Sequence, residues 1–320
     1  MKRTISLFLL MILALSCFTG CAKQDDVTIR IAGLKGPTSM GLVQVMENAA
    51  TDSAKHPYEF TIAGSADEIT PKLVKGELDM AAVPANLASV LFNNTQGGVQ
   101  LLAINTLGVL YIVEKGAAVQ SWADLKGTTI YATGKGSTPE YTLRYLLSEN
   151  GLDPDKDVTL EWKSEPTEVV AILKSTDAAV AMLPQPYTTV AQSSVEGLRV
   201  ALDLTAAWDA LNNGSTLVTG VLVARTEFVE AHPDAVKAFL KEYQASAEFV
   251  NAQPEAASAL IEKFGIVKAA IAQKALPYCN ITFVSGKDMQ PLLEGYLKVL
   301  FEQNPKAIGG ALPTAAFYYE

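Results

Sequence analysis

Histidine and cysteine are scarce in this sequence of 320 residues, which contains two histidines and three cysteines. His56 and His232 are each followed by proline, in positions that predict a loop and a helix entry, so a paired metal site is not expected. A Gly-x-Ser-x-Gly nucleophile elbow and a Cys-His arrangement are also missing from the sequence. Catalysis therefore has little support, and we expect neither a metal nor a cofactor.

Positively charged residues are fewer than negatively charged ones. The chain has 25 lysine and arginine residues against 34 aspartate and glutamate residues, which makes a formal net charge of -9, and its lysines are scattered singly. Nucleic-acid binding and a basic membrane face both need clustered positive charge. We therefore exclude nucleic acid as a partner and expect a solvated acidic surface.

Long apolar segments are missing except at the amino terminus. There, two basic residues precede an apolar run, residues 5–18, which is too short to span a membrane comfortably and is typical of a secretory signal. The sequence Phe18-Thr19-Gly20-Cys21 resembles a bacterial lipobox, although phenylalanine stands where the pattern usually has leucine. We expect residues 1–20 to be a lipoprotein signal peptide, Cys21 to carry the lipid, and residues 21–26 to form a polar tether. An ordinary secretory signal that is cleaved nearby is the alternative.

This interpretation places the protein outside the cytoplasm, anchored to a membrane by lipid. Signal cleavage removes Cys17 and acylation occupies Cys21, so Cys279 alone stays free and no intramolecular disulfide is possible. The apolar neighbours of Cys279 favour a packed small hydrophobic side chain over a reactive thiol. The next most apolar segment, residues 99–113, contains polar residues and predicts buried strands rather than a membrane span.

Two separate stretches have nearly the same pattern, and each ends at a proline. Residues 68–84 run from Glu-Ile through Gly-Glu-Leu-Asp to Ala-Ala-Val-Pro, and residues 168–184 run from Glu-Val to Ala-Val-Ala-Met-Leu-Pro. Each pattern predicts a helix, a tight turn, a short buried strand and then a loop. A repeated helix-strand unit is typical of two similar α/β lobes. Because ligands bind beyond the carboxyl ends of strands in open α/β sheets, the segments after Pro84 and Pro184 are candidates for two facing walls of one cleft.

The remaining patterns alternate between strand and helix, so the expected fold class is α/β. Val27 to Ala32 alternates with period two and predicts the first strand. A break at Gly33 to Pro37 follows, and then a helix is predicted from about Met40 to Ala50. From Thr226 onward the pattern is helical, with prolines marking helix boundaries.

The order and spacing of several short segments resemble the type II periplasmic binding protein superfamily. These segments are Ser121-Trp122-Ala123-Asp124-Leu125-Lys126-Gly127, Gly134-Lys135-Gly136-Ser137, Gly151-Leu152, Glu168, Pro184 and Gln185-Pro186. Phe228-Val229, followed by His232-Pro233-Asp234 and a long helix, is similar to the branch that binds taurine, alkanesulfonates, nitrate or thiamine pyrimidine precursors. The resemblance covers nearly all of the chain after the tether.

The resemblance implies a two-lobed α/β fold in which the second lobe is inserted into the first and two crossover strands join them. We expect lobe 1 to comprise residues 27–107 and 220–320 and lobe 2 to comprise residues 108–219, with crossings near 105–110 and 216–220. The resemblance also implies a monomeric solute-binding protein with a hinged cleft between its lobes. Such a protein delivers a small molecule to the permease and ATPase of an ABC importer.

Two loops that precede helices are candidate ligand-binding ends of this cleft. In the first loop, the backbone N–H groups of Ser39, Met40 and Gly41 are expected to point outward at a helix amino terminus, where they attract anionic oxygens. The second loop fails the pattern of a phosphate-binding loop, because glycine follows its lysine where serine or threonine is needed. An ordinary capped helix is the alternative in both loops. The candidate contacts are Pro37, Thr38, Ser39 and Met40 in the first loop and Gly136, Ser137 and Thr138 in the second.

Amide and aromatic side chains supply the other candidate contacts. Asn86 follows Pro84, and Gln185 and Tyr187 follow Pro184, so Asn86 and Gln185 are predicted to approach one ligand from opposite sides. The alternative is that these residues cap helices or pack between the lobes. The further candidates are Ser65, Thr106, Tyr111 and Tyr141, and helix capping is our interpretation of the acidic residues Asp124, Glu140 and Glu168.

The ligand and the use of the fold stay open at this point. Helix amino termini favour a sulfonate or carboxylate, whereas the tyrosines, and the lack of arginine in the candidate loops, favour a neutral or weakly charged heteroaromatic compound such as a vitamin precursor. One alternative to an import protein is an exported sensory or interaction lipoprotein with the same fold. Another is an enzyme of pyrimidine or vitamin biosynthesis, because the resembling branch contains a pyrimidine synthase. That synthase uses a cysteine-rich motif, and this chain has no cysteine cluster.

Overall fold

The computed structural model describes residues 27–320. The predicted signal peptide, the Cys21 lipidation site and the predicted tether all lie outside the described residues. None of the helices within residues 27–320 is both long and apolar enough to cross a bilayer.

Strands and helices alternate along the described chain. The strands are β1 (Ile29–Leu34), β2 (Tyr58–Ala63), β3 (Met80–Pro84), β4 (Val99–Leu107), β5 (Leu110–Lys115), β6 (Thr129–Thr133), β7 (Thr159–Lys163), β8 (Ala179–Pro184), β9 (Leu198–Asp203), β10 (Val218–Arg225) and β11 (Ile281–Val284). The helices are α1 (Pro37–Met40), α2 (Val43–Ala50), α3 (Thr70–Val74), α4 (Ala85–Asn94), α5 (Thr138–Glu149), α6 (Pro166–Ser175), α7 (Tyr187–Ser194), α8 (Leu204–Ala210), α9 (Thr226–Ala231), α10 (Pro233–Ala252), α11 (Pro254–Lys263), α12 (Ala269–Ala275) and α13 (Met289–Gln303).

Two sheets divide these strands. The first sheet has the order β11-β4-β10-β3-β1-β2, and the second has the order β7-β6-β8-β5-β9. In the first sheet β1, β2 and β3 are parallel while β10 is antiparallel to β3 and β4. In the second sheet β6 is parallel to β7 and β8, and β5 is antiparallel to β8 and β9. Short parallel units flanked by helices explain the alternating pattern of the sequence.

The chain crosses between the sheets twice within this arrangement. It leaves the first sheet at Leu107 and enters the second at Leu110, and it returns between Asp203 and Val218. The second sheet is therefore inserted into the first, and the predicted two-lobed α/β fold is confirmed. The return includes α8 and is longer than the predicted crossing. The exact lobe boundaries stay predictions.

The two similar stretches form similar units, with one difference from the prediction. Each gives a helix and then a buried strand, α3 with β3 and α6 with β8. The loop predicted after Pro84 is wrong, because α4 begins at the next residue. After Pro184 a cis peptide bond joins Gln185 to Pro186 before α7 begins. Both helices therefore start at the carboxyl end of the preceding strand.

The helix predicted from Met40 to Ala50 is broken in two at Gly41. A Cβ atom on Gly41 would lie 3.2 Å from Cγ2 of Ile281 and 3.5 Å from Cε2 of Tyr243. The missing side chain lets this segment approach the core of lobe 1 closely, and glycine also weakens the helix at this point. Close packing thus overrides the helical periodicity of the segment.

The carboxyl-terminal segment, residues 289–319, contacts both lobes. In α13, the Tyr296 ring lies 5.5 Å from that of Trp208 in α8, and its hydroxyl is 3.5 Å from Oγ1 of Thr142 in lobe 2. The chain then turns back to lobe 1, where the Asn93 amide donates to the carbonyls of Ile308 and Ala311 at 2.8 and 2.7 Å. The assignment of residues 220–320 to lobe 1 stays a prediction, and α13 also contacts lobe 2.

An ion cluster around a buried aspartate links three strands of the first sheet at the strand ends that lie away from the crossings. Asp79 is 2% exposed and accepts hydrogen bonds from Nε and Nη2 of Arg30 at 2.9 and 2.7 Å and from Nη2 of Arg225 at 3.1 Å. Burial alone would raise the pKa of Asp79, but the hydrogen bonds from the two arginines hold it below its usual value. The cluster joins the start of β1, the start of β3 and the end of β10.

Candidate functional site

The carboxyl ends of strands from both sheets meet where the chain crosses between the lobes. In the first sheet Gly220 pairs with Pro84 and Thr106, and in the second Leu110 pairs with Pro184. Only two residues separate β4 from β5, so these ends of the two sheets are held close together. The segments after the two prolines therefore lie at the junction of the lobes, which is where ligands bind in open α/β sheets.

The first candidate loop forms α1, and all four of its residues are buried. The prediction of outward-facing N–H groups is wrong here. Ser39 and Met40 donate their N–H groups to the Gly36 carbonyl at 3.1 and 3.0 Å, and Gly41 donates to the Pro37 carbonyl at 3.4 Å. A single helical turn that closes on itself leaves few donors for a ligand.

The side chains of α1 point in different directions. Met40 packs in the core, where its Sδ lies 3.8 Å from Sγ of Cys279. The Ser39 hydroxyl lies over Gly33, because a Cβ there would be only 2.3 Å from its Oγ, and it has no hydrogen-bond partner among the described residues. The Thr38 side chain instead lies beside Gly220, at the floor of the junction.

The floor of the junction is built around Gly220. A Cβ on this residue would lie 2.6 Å from Cγ2 of Thr38, 2.8 Å from Oδ1 of Asn105 and 3.2 Å from Cβ of Thr106. The hydroxyl of Thr106 donates to the Asn105 amide oxygen at 3.0 Å. Glycine is needed in this strand because side chains from α1 and β4 converge on its backbone.

Asn86 joins the two lobes directly. Its Oδ1 accepts a hydrogen bond from the Thr138 hydroxyl at 3.2 Å, and its N–H donates to that hydroxyl at 3.4 Å. Its amide nitrogen donates to the carbonyls of Ala307 at 2.9 Å and Gly136 at 3.4 Å. Asn86 and Thr138 are both completely buried. These two predicted ligand contacts therefore bond to each other across the lobe boundary.

The second candidate loop is closed by its own helix. Ser137 donates its hydroxyl to the Gly134 carbonyl at 2.8 Å, and the Gly136 N–H donates to Oε2 of Glu140 at 2.6 Å. Glu140 is 8% exposed and pairs through Oε1 with Nε of Arg144 at 2.9 Å. Glu140 thus bonds the loop residue before the helix N-cap rather than a helical N–H group, so the helix capping predicted for it is not shown. The capping predicted for Asp124 and Glu168 is confirmed, because each completes a capping box.

Gln185 and Tyr187 lie on the lobe 2 side of the junction. The Gln185 Oε1 accepts from the hydroxyl and the N–H of Thr189 at 2.9 and 3.4 Å, which caps α7. The Gln185 carbonyl faces lobe 1, since a Cβ on Gly36 would lie 3.9 Å from it. The approach of Asn86 and Gln185 to one ligand stays a prediction, and each amide oxygen already accepts a hydrogen bond within the chain.

The three candidate tyrosines keep neutral hydroxyls. Burial, followed by the charge of Asp203, raises the pKa of Tyr111 to about 12. Burial and the Glu165 carboxylate raise the pKa of Tyr187, and burial and Glu140 raise that of Tyr141. Each of these tyrosines thus has a carboxylate close enough to raise the pKa of its hydroxyl.

Ser65 belongs to a capping box at the edge of the junction. The Glu68 carboxylate accepts the N–H groups of Gly64 and Ser65, both at 3.0 Å. Glu165 of lobe 2 reaches the same place, because a Cβ on Gly64 would lie 2.6 Å from Oε1 of Glu165 and 3.4 Å from Oε1 of Glu68. Two carboxylates, one from each lobe, therefore border Gly64.

Several residues at the junction were not nominated from the sequence. Glu165 and Glu168 have capping-box spacing, as Ser65 and Glu68 do, and this repeat could have identified them. A glycine such as Gly220 in a buried strand could have indicated close approach of other groups. No local pattern points to the carbonyls of the carboxyl-terminal segment that Asn86 contacts.

Cys279, the free cysteine of the described chain, is buried. Burial raises the pKa of the Cys279 thiol to about 12, so it is not a nucleophile near neutral pH. Within residues 27–320, no group of three or more histidine, cysteine, aspartate or glutamate side chains is placed to hold a metal ion.

The family model of the NMT1-like family matches residues 43–264, which is well over half of the chain. No curated protein matches the sequence.

Solved structures share the fold at low sequence identity. A crystal structure of an ABC transporter protein from Parabacteroides distasonis is 23% identical, with a TM-score of 0.76 over 92% of this chain and 99% of that one. The alkanesulfonate-binding protein SsuA from Xanthomonas axonopodis pv. citri, bound to MOPS, is 13% identical, with a TM-score of 0.70 over 91% and 96% of the two chains. A Candida albicans protein described as having the generic periplasmic binding protein fold is 14% identical, with a TM-score of 0.63 over 90% and 92%.

Proposed function

Because the chain belongs to the NMT1-like family, we propose that it is the substrate-binding component of an ABC import system and that it captures a small organic molecule between its lobes. The observation that carries this proposal is the junction itself. Strand ends and helix starts from both sheets meet there, and buried polar side chains from both lobes line it. The similar Parabacteroides and Xanthomonas proteins are named as parts of such systems or as ligand-binding proteins.

The proposed ligand contacts come from both lobes. Lobe 1 supplies Pro37, Thr38, Ser39, Ser65, Asn86 and Thr106, and lobe 2 supplies Tyr111, Gly136, Ser137, Thr138, Tyr141, Gln185 and Tyr187. Met40 is left out because its side chain packs in the core. A ligand that contacts both lobes favours the closed arrangement through its differential contacts, and the closed form is then the form that a permease recognises.

Opening of the junction requires specific contacts to break. The hydrogen bonds between Asn86 and Thr138 and the contact between Gly36 and Gln185 connect the lobes in the described structure. We propose that these contacts separate when the ligand enters. The short connection between β4 and β5 and the longer return from β9 to β10 then act as the hinge.

We also propose that the protein is a monomeric lipoprotein anchored at Cys21 outside the cytoplasm. The lipobox-like sequence supports this location. Labelling of cells with a palmitate analogue should mark the wild-type protein and leave Cys21→Ser unlabelled. An unlabelled wild-type protein contradicts the anchor, and light scattering on the secreted Cys21→Ser chain measures its oligomeric state.

Native mass spectrometry of the secreted Cys21→Ser chain tests the binding function. We expect a co-purified small molecule in stoichiometric amount, and we expect the ligand-free chain to become more compact in X-ray scattering when this molecule is returned. Chemical turnover of the bound molecule would indicate an enzyme instead. Binding without compaction would contradict closure of the lobes.

A further inference from the structure

We propose that the cleft excludes anions and that its ligand is an uncharged or cationic small organic molecule, unlike the alkanesulfonate of the Xanthomonas protein. This inference rests on the proposed function and narrows the chemical class of the ligand. It follows from the hydrogen-bond donors, the cations and the carboxylates that surround the junction.

The hydrogen-bond donors are the first part of the argument. Four helices, α1, α4, α5 and α7, begin at the junction, and free N–H groups at such helix ends are the usual binding site of a sulfonate, carboxylate or phosphate. At three of them a side chain of the protein already takes one N–H group in or just before the first turn. These acceptors are the Thr138 hydroxyl for Asn86 of α4, the Glu140 carboxylate for Gly136 just before α5 and the Gln185 amide oxygen for Thr189 of α7. In α1 the N–H groups of Ser39 and Met40 make the helix's own bonds to the Gly36 carbonyl.

Glu140 is the most informative of these acceptors. Its carboxylate accepts the Gly136 N–H at 2.6 Å, which is the interaction that an anionic ligand would make with this loop. The loop touches lobe 1, because its Gly136 carbonyl accepts from the Asn86 amide. An incoming anion would therefore have to displace a buried carboxylate or be placed next to it, and two like charges in a water-poor site repel strongly.

The cations near the junction do not offset the negative charge of Glu140. Arg144 is the cation bonded to Glu140, and it is also paired with Asp155 at 2.8 Å. Lys35 and Lys135 of the two candidate loops are exposed to solvent. No lysine or arginine is buried anywhere in residues 27–320. The four arginines within residues 27–320, Arg30, Arg144, Arg199 and Arg225, are each paired with a carboxylate of the chain, so none is free for the bidentate contact that best holds a sulfonate or carboxylate.

Carboxylates accompany the aromatic rings instead. Asp203 pairs across the sheet with Tyr111, Glu140 precedes Tyr141, and Glu165 comes from lobe 2 to border Gly64 beside Glu68. Aromatic faces next to carboxylates are suited to cations and to uncharged groups with N–H donors. The carboxylates beside these rings therefore disfavour an anionic ligand at the junction.

A titration with matched anions tests this inference on the secreted Cys21→Ser chain. The probes are methanesulfonate, benzenesulfonate and benzoate, measured by calorimetry and thermal shift at low ionic strength. We expect the wild-type cleft to bind each probe only weakly, with a Kd of about 1 mM or higher. We expect Glu140→Gln, which removes the carboxylate at the loop, to gain affinity for these anions by about tenfold or more, equivalent to about 1.4 kcal/mol.

Asp124→Asn is the matched control for the charge change. Asp124 lies in the same lobe and, like Glu140, accepts backbone N–H groups, those of Gln120 and Ser121. It precedes the start of β6 and so lies at the end of the second sheet that is away from the junction. We expect this variant to bind anions no better than the wild type. A gain equal to that of Glu140→Gln would show a general charge effect and overturn the inference.

The identity of the co-purified molecule provides a second test that does not depend on a variant. An uncharged or cationic molecule supports the inference, and an anionic one overturns it while leaving the binding function intact. Micromolar binding of any of the anionic probes by the wild-type chain also overturns it. If the chain carries no small molecule of any charge and none closes its lobes, the proposed function fails instead.

Discussion

Replacing Thr138 with valine should shift the lobes toward an open arrangement. The substitution keeps the size of a completely buried side chain and removes only its hydroxyl. That hydroxyl donates to Oδ1 of Asn86 at 3.2 Å and accepts from the Asn86 N–H at 3.4 Å, so it forms the direct side-chain link between α5 of lobe 2 and α4 of lobe 1. The variant therefore tests whether this link holds the junction closed.

The magnitude follows from the geometry of the two hydrogen bonds. Both lie at the long end of the usual range, so together they are worth about one good neutral hydrogen bond, or about 0.5–1.5 kcal/mol. In the open form water can satisfy Asn86, whereas in the closed form of the variant its Oδ1 loses its partner. The ratio of closed to open molecules should consequently fall by about 2- to 10-fold. The apparent ligand affinity should fall by the same factor when the open form does not bind.

Single-molecule energy transfer between the lobes measures this ratio. Dyes can be attached to cysteines introduced at the exposed positions Ser53 and Ser175, one in each lobe. Thr188→Val is the matched control, because Thr188 is also completely buried but its hydroxyl donates to the Leu183 carbonyl within lobe 2. We expect the control to lose stability without opening. Equal closed fractions in Thr138→Val and the wild type would refute the reasoning.

Three further predictions concern the scaffold. Asp79→Asn should lower the free energy of unfolding in urea by about 2–4 kcal/mol, because it leaves Arg30 and Arg225 without their shared carboxylate, and an unchanged midpoint would contradict this. Since the pKa of Asp79 is lowered in the fold, its contribution is present above the unfolded pKa of about 4 and is lost as the pH falls through the folded value, so the difference from Asp79→Asn should shrink below about pH 4. The Cys279 thiol should react with an aromatic disulfide reagent at pH 8 only after unfolding, and rapid reaction of the native chain would show that it is accessible. Gly220→Ala should destabilise the fold by about 1–3 kcal/mol and weaken ligand binding, since its Cβ would overlap the floor of the junction; wild-type values in both measurements would contradict this.

The fold was largely predictable because its signals are local. The alternating strand and helix patterns, the repeat that ends at Pro84 and Pro184, and the capping acids Asp124 and Glu168 all act over a few residues. Helix bounds were predicted wrongly where residues distant in the sequence pack against the segment. The helix predicted from Met40 breaks because Ile281 and Tyr243, far along the sequence, pack against Gly41.

The position of the candidate segments could be predicted from the sequence, but the contacts of their side chains could not. The segments after the two prolines do lie at the junction of the lobes, yet Asn86 bonds to Thr138 and to the carbonyl of Ala307, which no sequence pattern connects with it. In the same way, the loop that contains Gly136 was predicted to contact a ligand, but the Gly136 N–H group already donates to the Glu140 carboxylate. Whether a donor is free depends on which acceptors the fold brings within about 3 Å.

By itself the sequence determined the fold class, because the alternating strand and helix patterns and the repeated helix-strand unit indicate two similar α/β lobes. These features depend on composition and short-range periodicity, which survive without knowledge of distant contacts. The tertiary structure alone decided that the lobes are bonded through Asn86 and Thr138, that α13 contacts lobe 2, and that carboxylates from both lobes border Gly64. Hydrogen bonds and charges act across space, so their partners are set by how the chain folds back on itself.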